Sequence, residues 1–249
     1  VSLSAEWPED ELLQLAARAE LGSEHPLAAP VIEAARAARN ANNVDAPAAA
    51  AQKAPELPEH SEPVPGMGVV SVLDGRRVMV GNARLLEREA GPADGSELAT
   101  AALGAADELA AAGRTPMIVA IDGRPVGVLA VADRLRAGAE ELVRGLHEAG
   151  IGHVVMLTGD APRVAEAVAA SLGIDEVQAG LLPEDKLQAV RGLQERGHVV
   201  AMVGDGVNDA PALATADVGV AMGAAASAVA LETADIALLS GDVSKLPEA

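Results

Sequence analysis

Asp205 and Asp209 stand four residues apart in the run MVGDGVNDAPALATADVGVAM, residues 202–222, just after the apolar stretch VVAMV. Two carboxylates in a Gly-rich turn at the carboxyl end of a buried strand offer the hard oxygen ligands that magnesium takes. The rest of its shell stays with water and phosphate. Gly204 and Gly206 let the turn fold tightly, and the Asn208 amide can donate to a phosphoryl oxygen. Upstream, Thr158, Gly159 and Asp160 follow the apolar run VVML and open a helix. A threonine hydroxyl beside helix-start amides suits a phosphoryl group. Lys186, in PEDK, supplies a cation for the charge that develops during transfer. Taken singly, TGD and a lone lysine are weak signals, because a helix lysine is usually a solvated one. Their order and spacing ahead of GDGVND make the set specific.

A second constellation lies near the N-terminus, in ELGSEHP, residues 20–26. Glu20 precedes His25 by five residues, and Pro26 fixes the backbone that carries the imidazole. A histidine by itself is as often structural as functional. Downstream come Gly66 and Gly68 in GMGV and Gly81 with Asn82 in VGN. Glycines let backbone approach a ligand closely, but in hairpins they also serve turns.

The elements that must position these residues fall into two patterns. Residues 9–20 have helical spacing with acids in the first turn, and LAAPVIEAARAARN continues as a second helix. The Ala-, Pro- and Asn-rich stretch 40–65 reads as a mobile connection. GVVSVLDGRRVMV and PMIVAIDGRPVGVLAVA each read as a hairpin around an Asp-Gly turn, with helices at 83–89 and 98–112 between them. After Asp133 the pattern alternates helix and strand, which implies a parallel sheet covered on both faces. The expected organisation is an α+β antiparallel-sheet domain over 1–131 and a doubly wound α/β domain over 132–249.

GDGVNDAPAL resembles, without a mismatch, the hinge motif of P-type ATPases, GDGxNDxPAL. Together with TGD and the PEDK lysine it resembles their haloacid-dehalogenase-like phosphorylation domain. ELGSEHP, GMGV and VGN resemble the nucleotide-binding domain of the heavy-metal-transporting branch. The resemblance covers nearly the whole chain. It implies that the threonine and lysine touch the phosphoryl group, that Asp205 is a magnesium ligand, and that ATP binds between the halves. It also implies that His25 packs on or bonds to adenine while Glu20 contacts its amino group. A neutral imidazole can do that at little desolvation cost. DRLR, residues 133–136, resembles the family hinge between the two domains; an aspartate capping a helix start reads equally well. The resemblance further implies a multi-pass membrane parent with this segment on the cytosolic side and a transported heavy-metal cation as cargo. The tail ALETADIALLSGDVSKLP resembles zinc-, cadmium- or cobalt-type members of the family more than copper-type ones.

One family part is absent. No DKTG and no Asp-x-Asp or Asp-x-Thr pair occurs in the chain, so the nucleophilic aspartate is expected just upstream of Val1. The catalytic sheet would then lack its first strand and leave two apolar edges. Alone, the chain is not expected to phosphorylate itself. Two other classes share part of this pattern: a soluble phosphatase of the same fold, and a nucleotide-binding module without catalysis.

At 249 residues the chain can bury two cores. They must be aliphatic, because Trp7 is its only aromatic residue. A net charge of −19 argues against a nucleic-acid partner, which needs a basic face. With no cysteine, disulfides and thiolate metal sites are excluded within the segment. Apolar runs such as VGVLAVA fall far short of the ~18 residues of a membrane helix.

Overall fold

The computed structural model describes residues 1–3, 6–21, 23, 27–42, 57–90, 97–132, 135–136, 138–205, 209–222, 232–238 and 246–247. It divides into two compact units, Val1–Ala132 and Asp133–Ala249.

The first unit is built on a five-stranded antiparallel meander in the order β1 (His60–Val64), β2 (Gly68–Leu73), β3 (Arg76–Gly81), β4 (Thr115–Ile121) and β5 (Arg124–Val131). Helices α1 (Glu9–Ala19) and α2 (Ala28–Asn42) precede the sheet; α3 (Ala83–Ala90) and α4 (Glu97–Ala111) join β3 to β4. Side chains alternate between the faces as strand geometry requires. Val69, Val78, Val80, Val119 and Ile121 pack with Leu12, Leu15 and Ala16 of α1. Val70, Met79, Ile118 and Ala120 pack with Leu85 of α3 and Ala102 of α4. Because both faces are covered, the strands read as nearly continuous apolar runs. Alanines at the buried positions of α1 and α4 let those helices lie close to the sheet, so the core fills without aromatic rings.

Both expected hairpins form. Asp74 and Gly75 have φ of 53° and 70°, and Asp122 and Gly123 have 51° and 78°. Two consecutive positive φ values give the tight turn whose twist matches antiparallel strands. One expectation is corrected. His60–Val64, read as part of a mobile connection, is β1, paired to β2 from His60↔Val72 to Val64↔Gly68. Pro63 and a mostly exposed pattern disguised it, and both are typical of an edge strand. Residues 40–42 of that connection end α2, and residues 43–56 lie outside the described residues.

The second unit runs α5 (Ala139–Glu148), β6 (Val155–Leu157), α6 (Pro162–Leu172), β7 (Glu176–Gln178), α7 (Pro183–Glu195), β8 (Ala201–Gly204), α8 (Ala210–Thr215), β9 (Val218–Met222) and β10 (Ile236–Leu238). All its pairings are parallel, as the alternation requires. They form two ladders, β6–β7 and β8–β9–β10. Among the described residues β6 and β8 are each laddered on one side only. The core gathers Val190 and Leu213 of α7 and α8 against Met202 and Ala221 of β8 and β9. No described helix is long and apolar enough to cross a membrane.

Candidate functional site

In the second unit, β6 ends at Leu157 and the chain turns at Thr158–Gly159–Asp160 before Pro162 starts α6. The turn is closed internally: the Thr158 hydroxyl donates to Asp160 Oδ2 at 2.9 Å, and the Asp160 amide donates to Thr158 Oγ1 at 3.1 Å. It is also tied to the segment after β7. The Thr158 amide donates to the Gln178 carbonyl, the Leu181 amide to the Thr158 carbonyl, and the Gly180 amide to the Asp160 carbonyl, all within 3.0 Å. Gly159 and Asp160 are exposed.

That segment leads directly into α7. Asp185 accepts the Leu182 amide at 2.9 Å, satisfying one donor at the helix start and orienting the first turn that carries Lys186. From there Lys186 Nζ reaches Asp209 Oδ1 at 2.8 Å. Both side chains are largely buried, at 16% and 14% exposure. Asp209 opens α8, and its other oxygen lies against the end of β8. A Cβ placed on Gly204 would fall 2.8 Å from Asp209 Oδ2 and 3.1 Å from Asp209 Cβ. A side chain at 204 and the observed seat of Asp209 are therefore incompatible. Asp205, the next residue, is exposed at the strand end.

A continuous path thus runs from Thr158 through Leu181 and Lys186 to Asp209 and Gly204–Asp205. It joins the carboxyl ends of β6 and β8. For magnesium, the hard oxygens of Asp205 and Asp209 fit, and Lys186 already engages one oxygen of the latter. Among the described residues no three His, Asp or Glu side chains are closed about a common point. Asn208 and Gly206 lie outside the described residues.

In the first unit, Glu20 caps α1 and is only 2% exposed. Burial pushes its carboxyl above the ordinary glutamate range, against a lowering hydrogen bond with Ser23. Its Oε2 is buried without a hydrogen-bond partner among the described residues. Such an oxygen is costly unless a donor arrives. The buried Ser71 hydroxyl donates to the Ala19 carbonyl at 2.7 Å and ties this helix end to β2. His25 lies outside the described residues.

The glycines have a structural account of their own. Gly68 and Gly81 are register partners on β2 and β3. A Cβ on Gly68 would collide with the Val80 carbonyl and Gly81 Cα, and one on Gly81 with the Met67 carbonyl and Leu85. Asn82 holds the same loop: its amide donates to the Met67 carbonyl at 2.8 Å and its Nδ2 to the Gly66 carbonyl at 2.9 Å. Its Oδ1 accepts the Leu85 amide at 3.2 Å and so starts α3. The motif residues 66, 68, 81 and 82 therefore form one rigid corner. A cavity of about 470 Å³ in this unit is lined by Trp7, Gln14, Arg18, Leu73 and Ile121 and, among the described residues, by none of the motif residues.

The sequence matches the family model of haloacid dehalogenase-like hydrolases over residues 4–217. It is 40% identical over 246 residues to a zinc-exporting P-type ATPase of Mycobacterium marinum, covering 99% of this chain and 31% of that protein. It is 40% identical to a manganese-exporting P-type ATPase of Mycobacterium leprae, with the same coverage. It is 42% identical over 244 residues to a copper-exporting P-type ATPase of Legionella pneumophila, covering 98% of this chain and 30% of that protein. The chain thus spans about a third of the length of these relatives. Its structure is similar to that of a zinc-transporting PIB-type ATPase in the E2.Pi state, with TM-score 0.67 and 37% identity over 98% of this chain and 36% of that one. The catalytic domain of a CPx-ATPase shares the fold at TM-score 0.61 and 24% identity, over 96% of this chain and 79% of that one.

Proposed function

The chain belongs to the haloacid dehalogenase-like hydrolases, and from that membership we propose that it is the ATP-binding and phosphorylation region of a heavy-metal cation-translocating P-type ATPase. The observation that carries the reading is the Lys186–Asp209 pair at the strand end that also bears Asp205. A buried cation between two acid-bearing turns can neutralise an incoming phosphoryl group without leaving the turn overcharged. Thr158 sits at a helix start where its hydroxyl can pass from Asp160 to a phosphoryl oxygen. Gly159 and Asp160 shape that turn, and Asn208 would donate beside it. Asp205 and Asp209 would hold magnesium, which when bound offsets phosphate charge.

ATP is the substrate in this reading. The unpaired Oε2 of Glu20 would accept the adenine amino group, His25 would pack on the base, and the corner of Gly66, Gly68, Gly81 and Asn82 would offer backbone at close range. The phosphoryl acceptor is an aspartate outside these 249 residues. Phosphoryl transfer to it drives cation movement through membrane helices of the parent, with this part facing the cytosol. The cargo class we favour is zinc, cadmium or cobalt over copper, on the tail after residue 229.

Calorimetry with a non-hydrolysable ATP analogue and magnesium tests the nucleotide half. The folded chain should bind and His25→Gln should lose most of the affinity; equal binding by both would sink the adenine assignment. Joining a DKTG-bearing strand upstream tests the other half. Phosphoenzyme that Thr158→Ala abolishes supports the pump, whereas phosphate release from small esters without ATP use would make the protein a phosphatase.

A further inference from the structure

Away from the nucleotide and phosphoryl machinery, the second unit brings two histidines and two carboxylates together on its surface. His147 lies in the last turn of α5, His153 in the loop before β6, and Asp175 and Glu176 at the start of β7. Each imidazole has one nitrogen engaged. His147 Nδ1 is 3.0 Å from the Ile151 carbonyl, which can only accept, so this nitrogen carries the proton. His153 Nε2 is 3.0 Å from Glu176 Oε2, a carboxylate oxygen that fixes its proton in the same way. In the neutral rings the remaining nitrogens, His147 Nε2 and His153 Nδ1, bear lone pairs. Both lie near one atom, Asp175 Oδ2, at 3.4 Å and 4.0 Å.

These two separations are too long for charge-assisted hydrogen bonds, which run at about 2.7–2.9 Å. The first equals the spacing of ligands about a tetrahedral metal, and the second exceeds it by about 0.6 Å. With Zn–N and Zn–O near 2.0–2.1 Å, neighbouring donor atoms lie about 3.4 Å apart. The outer contacts also fit, since a metal-bound imidazole ordinarily gives its other N–H to a backbone carbonyl or a carboxylate. The Val154 amide donates to Asp175 Oδ2 at 2.8 Å and steadies the third donor. Gln178 Nε2 in turn donates to Glu176 Oε1 at 2.9 Å and steadies the outer carboxylate.

We propose that His147, His153 and Asp175 form a binding site for a divalent transition cation of the zinc class, with water as the fourth ligand. As they stand the three do not close about a common point; the set closes when the His153 ring swings inward from 4.0 Å, and at 41% exposure that side chain has room to move. Two imidazoles and one carboxylate select borderline metals such as zinc or cobalt over magnesium. The site is independent of the nucleotide reading above.

The test is a titration of the full chain with zinc alone, in excess magnesium so that hard-oxygen sites are filled, followed by calorimetry. One equivalent should bind, and H147A/H153A should weaken it by about 100-fold or more, while His198→Gln, on an exposed loop, leaves it unchanged. Glu176→Gln, which alters the outer contact of His153 and the Gln178 bond but none of the three ligands, should cost about 10-fold. Cobalt(II) on the unaltered chain should give the intense visible bands of a four-coordinate ion. Zinc affinity unaltered in a folded H147A/H153A variant would overturn the site. So would the weak, six-coordinate cobalt spectrum on the wild-type chain, or no zinc bound.

Discussion

Lys186→Met removes the cation that faces Asp209 while keeping most of the side-chain length. The pair is made at 2.8 Å with both side chains about six-sevenths buried. Breaking a buried pair from one side costs about 3–5 kcal/mol, chiefly because a charge is left unpaired. The residual exposure lets some water reach Asp209, which brings the expected loss to about 2–3 kcal/mol. That is on the order of a 30- to 150-fold rise in the open population of α7 and α8. Asp209→Asn should cost less, since an amide can still accept from Lys186 and is less costly to bury. The double variant Lys186→Met/Asp209→Asn should recover about 1 kcal/mol or more of the summed losses, as groups in direct contact do. Amide hydrogen exchange at Val190 and Leu213, in the buried faces of the two helices, the latter amide bonded to the Asp209 carbonyl, reads the effect without requiring the two units to unfold together. Additive losses, or no change at those amides, would refute the buried pair as the brace of this site.

Gly204→Ala should eject Asp209 from its seat and lose about 1–3 kcal/mol by overpacking, measured by the same exchange. Gly159→Ala meets only the Leu181 carbonyl at 3.4 Å, so its stability should stay within about 0.5 kcal/mol. Gly81→Ala should lower the thermal midpoint of the first unit sharply, because two strands and Leu85 would have to move; far-UV circular dichroism on heating measures this. Glu20 carries a pH signature. Its carboxyl titrates above the ordinary glutamate value in the folded chain, so the folded state holds the proton longer than the unfolded one. Stability of the first unit should fall as pH rises through that window, and Glu20→Gln should flatten the fall. Urea titrations across that range check it, and a steeper fall in the variant would contradict the burial argument.

Much of the fold was legible because local chemistry decides it. The Asp-Gly dipeptides at 74–75 and 122–123 set both hairpins, and helix periodicity set the four helices around that sheet. β1 was missed because an edge strand needs few apolar residues and tolerates Pro63. β10 was missed because three residues, only partly buried, carry no period. The split into two parallel ladders depends on which strands are neighbours, which no local pattern states. For the site, strand ends and turns were readable, and the long-range pairings were not. Nothing in the residues between 186 and 209 says that Lys186 spends its charge on Asp209. Nor does GMGV say that Gly68 faces Gly81, although that register explains both glycines without a ligand. Gly204 was chosen correctly as a place for no side chain; the reason lies in Asp209, five residues on.

Trp7 packs at the edge of the first unit's core and also lines its cavity. With no tyrosine or phenylalanine in the chain, it is the one ring that absorbs and emits beyond 270 nm. The protein therefore carries a built-in optical probe of one domain. A shift in its emission on adding nucleotide or denaturant reports the surroundings of α1. The Val190–Leu213 core can melt without any change in that light. A single-step emission curve would thus describe half of the molecule, and only a probe placed by substitution in the second unit would make the other half visible.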